Sequence, residues 1–148
     1  MIESPALVPE LDVADLAASL RVYRDVFGFE VLAERPDESF VYLAIGPAHL
    51  MLQEAGGPGR RFRTAPLERP YGRGINLQIN VPDVIAAHER IKCMASEIVV
   101  PLEDRWYRQS DIELRNRQFV VADPDGYLLR FYQTLGLRPL SRRRGDVR

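Results

Sequence analysis

The clearest periodic signal in this chain is a strict alternation of apolar and polar residues over positions 75–81. Leu77, Ile79 and Val81 occupy every second position, and Asn76, Gln78 and Asn80 occupy the alternate ones. A period of two predicts a β-strand with one buried face and one polar face. Asn76 falls on the polar face of this strand.

A weaker alternation over residues 8–13 predicts a similar strand near the N-terminus. Leu11 and Val13 form its apolar side. Its other side carries Val8, Glu10 and Asp12. Pro9 has no amide hydrogen, so we expect this strand at a sheet edge.

Each of these strands is followed by a helical pattern and then by further short strands. Apolar residues recur at helical spacing over 15–27, and Gly28 ends that helix; a second helix begins at Pro82 and Asp83. Turn-rich segments separate six more predicted strands, at residues 29–33, 40–45, 49–54, 97–102, 117–122 and 127–133.

The same order of elements therefore occurs twice. Residues 13–22 align with residues 81–90, which indicates a duplicated β-α-β-β-β unit. We predict an α+β fold in which residues 1–134 form one domain. Its first unit spans 6–55, a linker spans 56–72, and the second unit spans 73–134. Because each sheet has one face without a helix, we expect the two open faces to meet around a cleft.

A charged residue interrupts the last predicted strand. Asp123, Pro124 and Gly126 favour a tight turn between two strands of an antiparallel hairpin. Arg130 follows in the middle of the second strand, where a charge is costly unless it is paired or faces a wet cavity.

Composition narrows the possible functions. The chain has 148 residues and a formal net charge of −1, which gives no overall attraction to nucleic acid or to an anionic membrane. The single cysteine, Cys93, excludes an intrachain disulfide. No apolar run is long enough to span a membrane, and the start lacks a signal-peptide pattern. We expect a cytoplasmic protein, with a solvated basic tail at 135–148.

These features together resemble the vicinal oxygen chelate superfamily, which includes glyoxalase I, extradiol dioxygenases, fosfomycin-resistance enzymes and bleomycin-resistance proteins. The resemblance rests on the paired units, on the Val-x-Asp-Leu-x-x-Ser-x-x-x-Tyr motif at 13–23, and on Asp-Pro-Asp-Gly-Tyr-Leu-Leu-Arg at 123–130. It extends over residues 6–134 and implies paired mixed sheets around a cleft.

Metal-dependent members of that superfamily take four ligands from the first and last strands of the two units. The corresponding positions here are Val8, Met51, Asn76 and Arg130. None supplies a ligand suited to a hard divalent ion, and the fixed charge of arginine would repel it. We therefore expect no metal and no cofactor.

The alternative within the family is an enzyme with a non-standard metal site, a glyoxalase-like lyase or isomerase or a dioxygenase. His49 lies on the same strand face as Met51 and, with Glu10 across the cleft, could supply two ligands.

The metal-free bleomycin-resistance proteins are the most similar subgroup. That resemblance implies a homodimer that sequesters a drug-like small molecule in clefts between its subunits. Trp106 and Tyr107, in a segment predicted as a loop, would stack on the ligand, and Glu10 and Asp12 would hold its cationic part. The remaining pocket positions are His49, Met51, Asn76 and Arg130.

A third hypothesis is an anion- or carboxylate-binding module centred on Arg130. Its basis is a group of arginines in or near the second unit's open face: Arg105, Arg108, Arg115, Arg117 and Arg130.

Overall fold

The computed structural model describes residues 4–94 and 97–140. The first unit has a helix and four strands: β1 (Glu10–Val13), α1 (Leu16–Arg21), β2 (Glu30–Arg35), β3 (Phe40–Ile45) and β4 (Ala48–Glu54). Helix α1 continues as a π-helical segment, Val22–Phe27, and Gly28 closes it with a left-handed φ of 88°. Asp15 caps its first turn by accepting a hydrogen bond from the backbone of Ala18.

The second unit repeats this order. It contains β5 (Asn76–Asn80), α2 (Val84–Cys93), β6 (Ile98–Gln109), β7 (Ile112–Ala122) and β8 (Leu128–Pro139). Asp83 caps α2 as Asp15 caps α1. No described helix is long and apolar enough to cross a membrane.

The strands form two four-stranded sheets with the same topology. Sheet A has the order β1-β4-β3-β2, and sheet B has the order β5-β8-β7-β6. In each sheet the first strand pairs with the last in parallel, and the other pairs are antiparallel. The predicted α+β fold with tandem β-α-β-β-β units is confirmed.

One hydrophobic core joins the two units on the helix-covered sides of their sheets. Phe27, at the end of the first helix, packs against Phe131 of sheet B with ring centroids 5.9 Å apart. The guanidinium of Arg90 on α2 donates to the backbone carbonyls of Val26 and Phe27. The units are therefore held together in the chain through their helices and inner faces, and the opposite face of each sheet remains open.

The turn between β7 and β8 is a second contact between the units. Gly126 adopts a φ of 97° and donates to the carbonyl of Asp123. The buried carboxylate of Asp123 accepts from the hydroxyl of Tyr23 at 2.9 Å, and that of Asp125 accepts from the backbone of Ala14 and from Arg69. The turn predicted from the sequence thus also fastens the first unit and the linker to sheet B.

The linker, residues 56–72, contains no helix or strand, as its composition predicts. It is nevertheless tied to sheet A. Arg61 donates twice to the carbonyl of Glu54, and Arg63 binds the carbonyl of Ala55 and the carboxylate of Asp12.

Sheet B is longer than the sequence predicts. Strands β6 and β7 run on through residues 103–116, and β8 continues to Pro139. The prediction of a loop around Trp106 is wrong, because this residue lies within β6. The prediction that the tail begins at residue 135 is also wrong, because residues 135–139 belong to β8. One face of this extension carries Ile112, Leu114 and Leu137. Ion pairs also support it: Asp104 with Arg117 and Glu113 with Arg138, each at 2.7 Å. The remainder of the predicted tail, 141–148, lies outside the described residues.

Candidate ligand-binding site

The open face of sheet B is polar and hydrogen-bonded. Because successive strand residues point to opposite faces, the side chains that alternate with the core form this face. They come from all four strands: Gln78, Tyr107, Asn116, Gln118, Arg130, Tyr132 and Thr134. The strand register places Gln78 beside Arg130 and Gln118 beside Tyr132.

A cavity of about 390 Å³ lies on this face, and we call it the polar cavity. Ligand pockets in proteins have volumes of about 300–1,000 Å³, so it is large enough for a small molecule. Its lining contains two arginines, Arg108 and Arg130, and no carboxylate. The other lining residues are Gln78, Tyr107, Gln109, Leu114, Asn116, Tyr132 and Thr134.

Arg130 is held in this cavity by neutral groups. One terminal nitrogen of its guanidinium donates to Oε1 of Gln78, and the other lies 3.4 Å from the hydroxyl of Tyr107. Its Cζ is 5.9 Å from the centroid of the Tyr107 ring. Its Nε is buried and has no hydrogen-bond partner within the described parts of the chain.

Gln118 fixes the position of the Tyr107 hydroxyl. Its amide nitrogen donates to that hydroxyl at 2.6 Å and to the carboxylate of Glu103 at 3.2 Å. Gln118 is only 4% exposed, so its position is set by the sheet. The Tyr107 hydroxyl accepts from Gln118 and Arg130, which leaves its own proton free to donate to a ligand.

Trp106 lies on the opposite face of β6 from Tyr107. The Cζ of Arg138 is 3.8 Å from the centroid of the Trp106 ring, and Arg115 approaches the same ring. Both aromatic residues are 38% exposed. The structure therefore does not bring Trp106 and Tyr107 together on one ligand, as the sequence analysis expected, because they are neighbours on a strand and not in a loop.

The two carboxylates of the expected acidic pair on sheet A differ in their surroundings. Glu10 is exposed and lies beside Met51 in the strand register. The Asp12 side chain is only 11% exposed, and its carboxylate is 2.7 Å from Arg63 and 3.9 Å from Arg61. The linker arginines, which the sequence analysis did not connect to Asp12, already neutralise this carboxylate.

His49 and Asn76 line a second cavity of about 310 Å³, which we call the apolar cavity. His49 is oriented by a 2.9 Å hydrogen bond between its Nδ1 and the hydroxyl of Tyr42. The cavity lies between the edge strand β5 and the segments that lead into β1 and β4. Most of its lining is apolar: Pro5, Leu7, Pro9, Phe29, Pro47, Ala48, Leu50, Leu77 and Ile79. Gln78 lines both cavities, so they adjoin at this residue.

The positions that correspond to the superfamily's metal ligands do not fit a metal here. Arg130 is charged and bonded to Gln78, while Val8 and Met51 offer no oxygen or nitrogen side-chain donor. Over residues 4–94 and 97–140, no three His, Cys, Asp or Glu side chains cluster in a way that could hold a metal ion.

Comparison with known proteins places these observations in a family. The model of the glyoxalase/bleomycin resistance protein/dioxygenase superfamily matches residues 8–131. The chain belongs to this superfamily. The resemblance inferred from the two units and the 123–130 motif is thereby confirmed.

Several relatives in the superfamily carry a functional name or a solved structure. The bleomycin resistance proteins of Geobacillus stearothermophilus and Staphylococcus aureus are each 27% identical over 139 residues, covering 86% of this chain and 96% of each relative. The crystal structure of TioX from Micromonospora sp. ML1 is 25% identical and covers 87% of this chain and 98% of that chain, with a TM-score of 0.69. An integron cassette protein of V. cholerae shares the fold at 19% identity and a TM-score of 0.67, over 90% of this chain and 97% of its own.

Gln78 is a site residue that was not predicted from the sequence. The alternation over 75–81 does place it on a polar face, so the signal was present. What makes Gln78 important is its pairing with Arg130 across β5 and β8, and that register is not visible in either strand alone.

Proposed function

We propose that this protein binds and sequesters a small organic molecule on the open face of sheet B. The observation that carries the proposal is the polar cavity, which has the volume of a ligand site and a set of fixed hydrogen-bonding groups around Tyr107 and Arg130. The names of the bleomycin resistance relatives support a binding role of this kind.

Tyr107 is the central contact in this proposal. Its ring would pack against a flat part of the ligand, and its hydroxyl would donate a hydrogen bond. Arg130 and Gln78 would bind acceptor groups of the ligand. His49 and Asn76 would contact a part that extends into the apolar cavity.

We further propose that the functional form is a homodimer, with the ligand cleft completed between subunits. No hydrogen bond or salt bridge among the described residues joins the open face of sheet A to that of sheet B, so each face is available to a second copy. In such a dimer Glu10 and Met51 of one subunit would face the polar cavity of the other. Sedimentation should then give twice the chain mass of 16.9 kDa; a monomer at all concentrations would contradict this arrangement.

The proposal is tested by calorimetric titration with bleomycin, using two neighbouring variants. Tyr107→Ala should weaken binding by about tenfold or more, because it removes a ring and a hydroxyl from the cavity. Trp106→Ala is the matched control, because Trp106 is as exposed as Tyr107 and lies on the same strand but on the other face. The affinity of this variant for bleomycin should be unchanged. Circular dichroism would confirm that both variants fold.

Chromatography of the bound ligand separates sequestration from catalysis. The ligand should be recovered unchanged after release from the protein. Its conversion to a product would favour the alternative of a superfamily enzyme, and equal losses of affinity in the two variants would contradict the assignment of the site to this face.

A further inference from the structure

Arg130 differs in its partners from three other arginines of sheet B, Arg105, Arg117 and Arg138. Arg117 and Arg138 each lie 2.7 Å from a carboxylate oxygen, and Arg105 lies 3.2 Å from Glu103. Arg130 contacts the neutral side chains of Gln78 and Tyr107. Within the described residues it has no carboxylate partner.

This arrangement leaves donor capacity for an anion. Each terminal nitrogen of the Arg130 guanidinium carries two N–H donors, and each makes one contact here, to Tyr107 or to Gln78. A carboxylate can accept two parallel hydrogen bonds from one guanidinium, and these charge-assisted bonds are about twice as strong as neutral ones.

The acidic group next to Tyr107 does not favour a cationic ligand. Glu103 is bound by Arg105 and by the amide of Gln118, which also binds the Tyr107 hydroxyl. A cation at this carboxylate would have to displace a partner that the chain already supplies.

The apolar cavity extends the site away from Arg130. It shares Gln78 with the polar cavity, and the side chain of Gln78 is hydrogen-bonded to Arg130. Its walls are mainly aliphatic, with the aromatic ring of Phe29, and they would take an apolar group at about 25 cal/mol for each Å² removed from water. One molecule could therefore occupy both cavities.

We infer that the ligand carries an anionic group, such as a carboxylate, on an apolar body. The anion binds Arg130 and the body lies in the apolar cavity beyond Gln78. This inference rests on the proposed binding function and adds the chemical class of the ligand.

Three probes with the same ring system test the charge: naphthoate, naphthamide and naphthylmethylamine. Titration calorimetry should show that naphthoate binds about tenfold to a hundredfold more tightly than the amide, as expected for hydrogen bonds to a charged group. The amine should bind most weakly. The preference for naphthoate should decrease as salt is added, because the site is partly open to solvent.

Variants of Arg130 identify the source of this preference. Arg130→Gln should reduce naphthoate affinity to that of the amide, whereas Arg130→Lys should keep a weaker preference because it retains the charge without the planar fork. Arg117→Gln is the matched control, since Arg117 is on the other face of sheet B and paired with Asp104. It should leave the preference unchanged.

A variant of Leu7 tests the apolar cavity. Leu7 is 81% exposed and lines that cavity, so Leu7→Ser carries little risk to folding. It should weaken naphthoate binding by about threefold or more, since each buried methylene is worth about 0.8 kcal/mol.

Three outcomes would overturn the inference. They are equal affinity for the three probes, an unchanged preference in Arg130→Gln, and no detectable binding of any probe. The proposed function has its own readout in the bleomycin titration. Binding of bleomycin together with failure of naphthoate would reject only the anionic ligand, and binding of naphthoate together with failure of bleomycin would reject only a cationic drug as the ligand.

Discussion

The hydroxyl of Tyr23 connects the first unit to the turn of the second, and Tyr23→Phe removes only that group. Tyr23 is fully buried, and its hydroxyl donates to Oδ2 of Asp123 at 2.9 Å. The other oxygen of Asp123 accepts from the backbone of Asp125 and Tyr127. Phenylalanine would leave Oδ2 buried without a partner among the described residues.

The expected cost follows from the chemistry of that bond. A hydrogen bond to a charged group contributes about 1.5–3 kcal/mol, and a buried acceptor left unpaired costs a similar amount. We expect Tyr23→Phe to lower the free energy of unfolding by about 2 kcal/mol near neutral pH, which corresponds to a fall in Tm of about 4–8 °C for a chain of this size.

The loss should also depend on pH. Burial raises the pKa of Asp123, and the hydrogen bond from Tyr23 partly offsets this. Removing the hydroxyl raises the pKa of Asp123 in the folded protein further. Protonated Asp123 tolerates the missing donor better than the carboxylate does. The difference in the free energy of unfolding between wild type and variant should therefore be largest above the pKa that Asp123 has in the folded protein. It should shrink as the pH falls through that pKa towards 3.8, the pKa of Asp123 in the unfolded chain.

Urea denaturation followed by circular dichroism would measure this, at about pH 7 and at about pH 4. Tyr42→Phe is the control, because its hydroxyl is only partly buried and bonds to His49. Its loss should be smaller than that of Tyr23→Phe. A cost for Tyr23→Phe that is below about 0.5 kcal/mol, or that grows at acid pH, would refute the reasoning about Asp123.

Two further substitutions test the turn and the site. Gly126→Ala should destabilise the protein by about 2 kcal/mol or more in urea denaturation, because φ at Gly126 is 97° and an added Cβ would lie 2.5 Å from the Cβ of Pro70. A neutral effect would show that the linker does not pack tightly on the turn. Arg130→Glu should not create a metal site, since Val8, Met51 and Asn76 still provide no suitable ligands. Tight uptake of zinc or nickel by that variant, measured by metal analysis, would contradict the alignment with the metal-dependent relatives.

The fold could be predicted from local patterns because its two units repeat them. Alternation over 75–81 depends only on the period of a strand, and it correctly separated Leu77 and Ile79 from the polar positions. The turn at 123–126 likewise depends on the backbone preferences of three residues.

The extended hairpin could not be predicted from the same signal. Residues 103–111 contain no apolar alternation, and only Ile112 and Leu114 alternate in the stretch that follows. Their stability comes from pairing across strands, including Asp104 with Arg117, and such pairs depend on a register that a single segment does not contain. For this reason the sequence predicts a loop around Trp106. In the structure Trp106 and Tyr107 are neighbours on strand β6, so their side chains lie on opposite faces of sheet B.

The charge of the site depends on which residues the fold pairs, and not on the composition of the chain. The net charge is −1, yet the polar cavity is positive. Arg63 approaches Asp12 from the linker, and Arg117 pairs with Asp104 on the opposite face of sheet B, so each of these carboxylates has a cation of the chain itself beside it. Arg130 has only neutral partners within the described residues, and it stands where metal-dependent relatives place a ligand. The same residue that is incompatible with a cation in this position is therefore the group best suited to bind an anion.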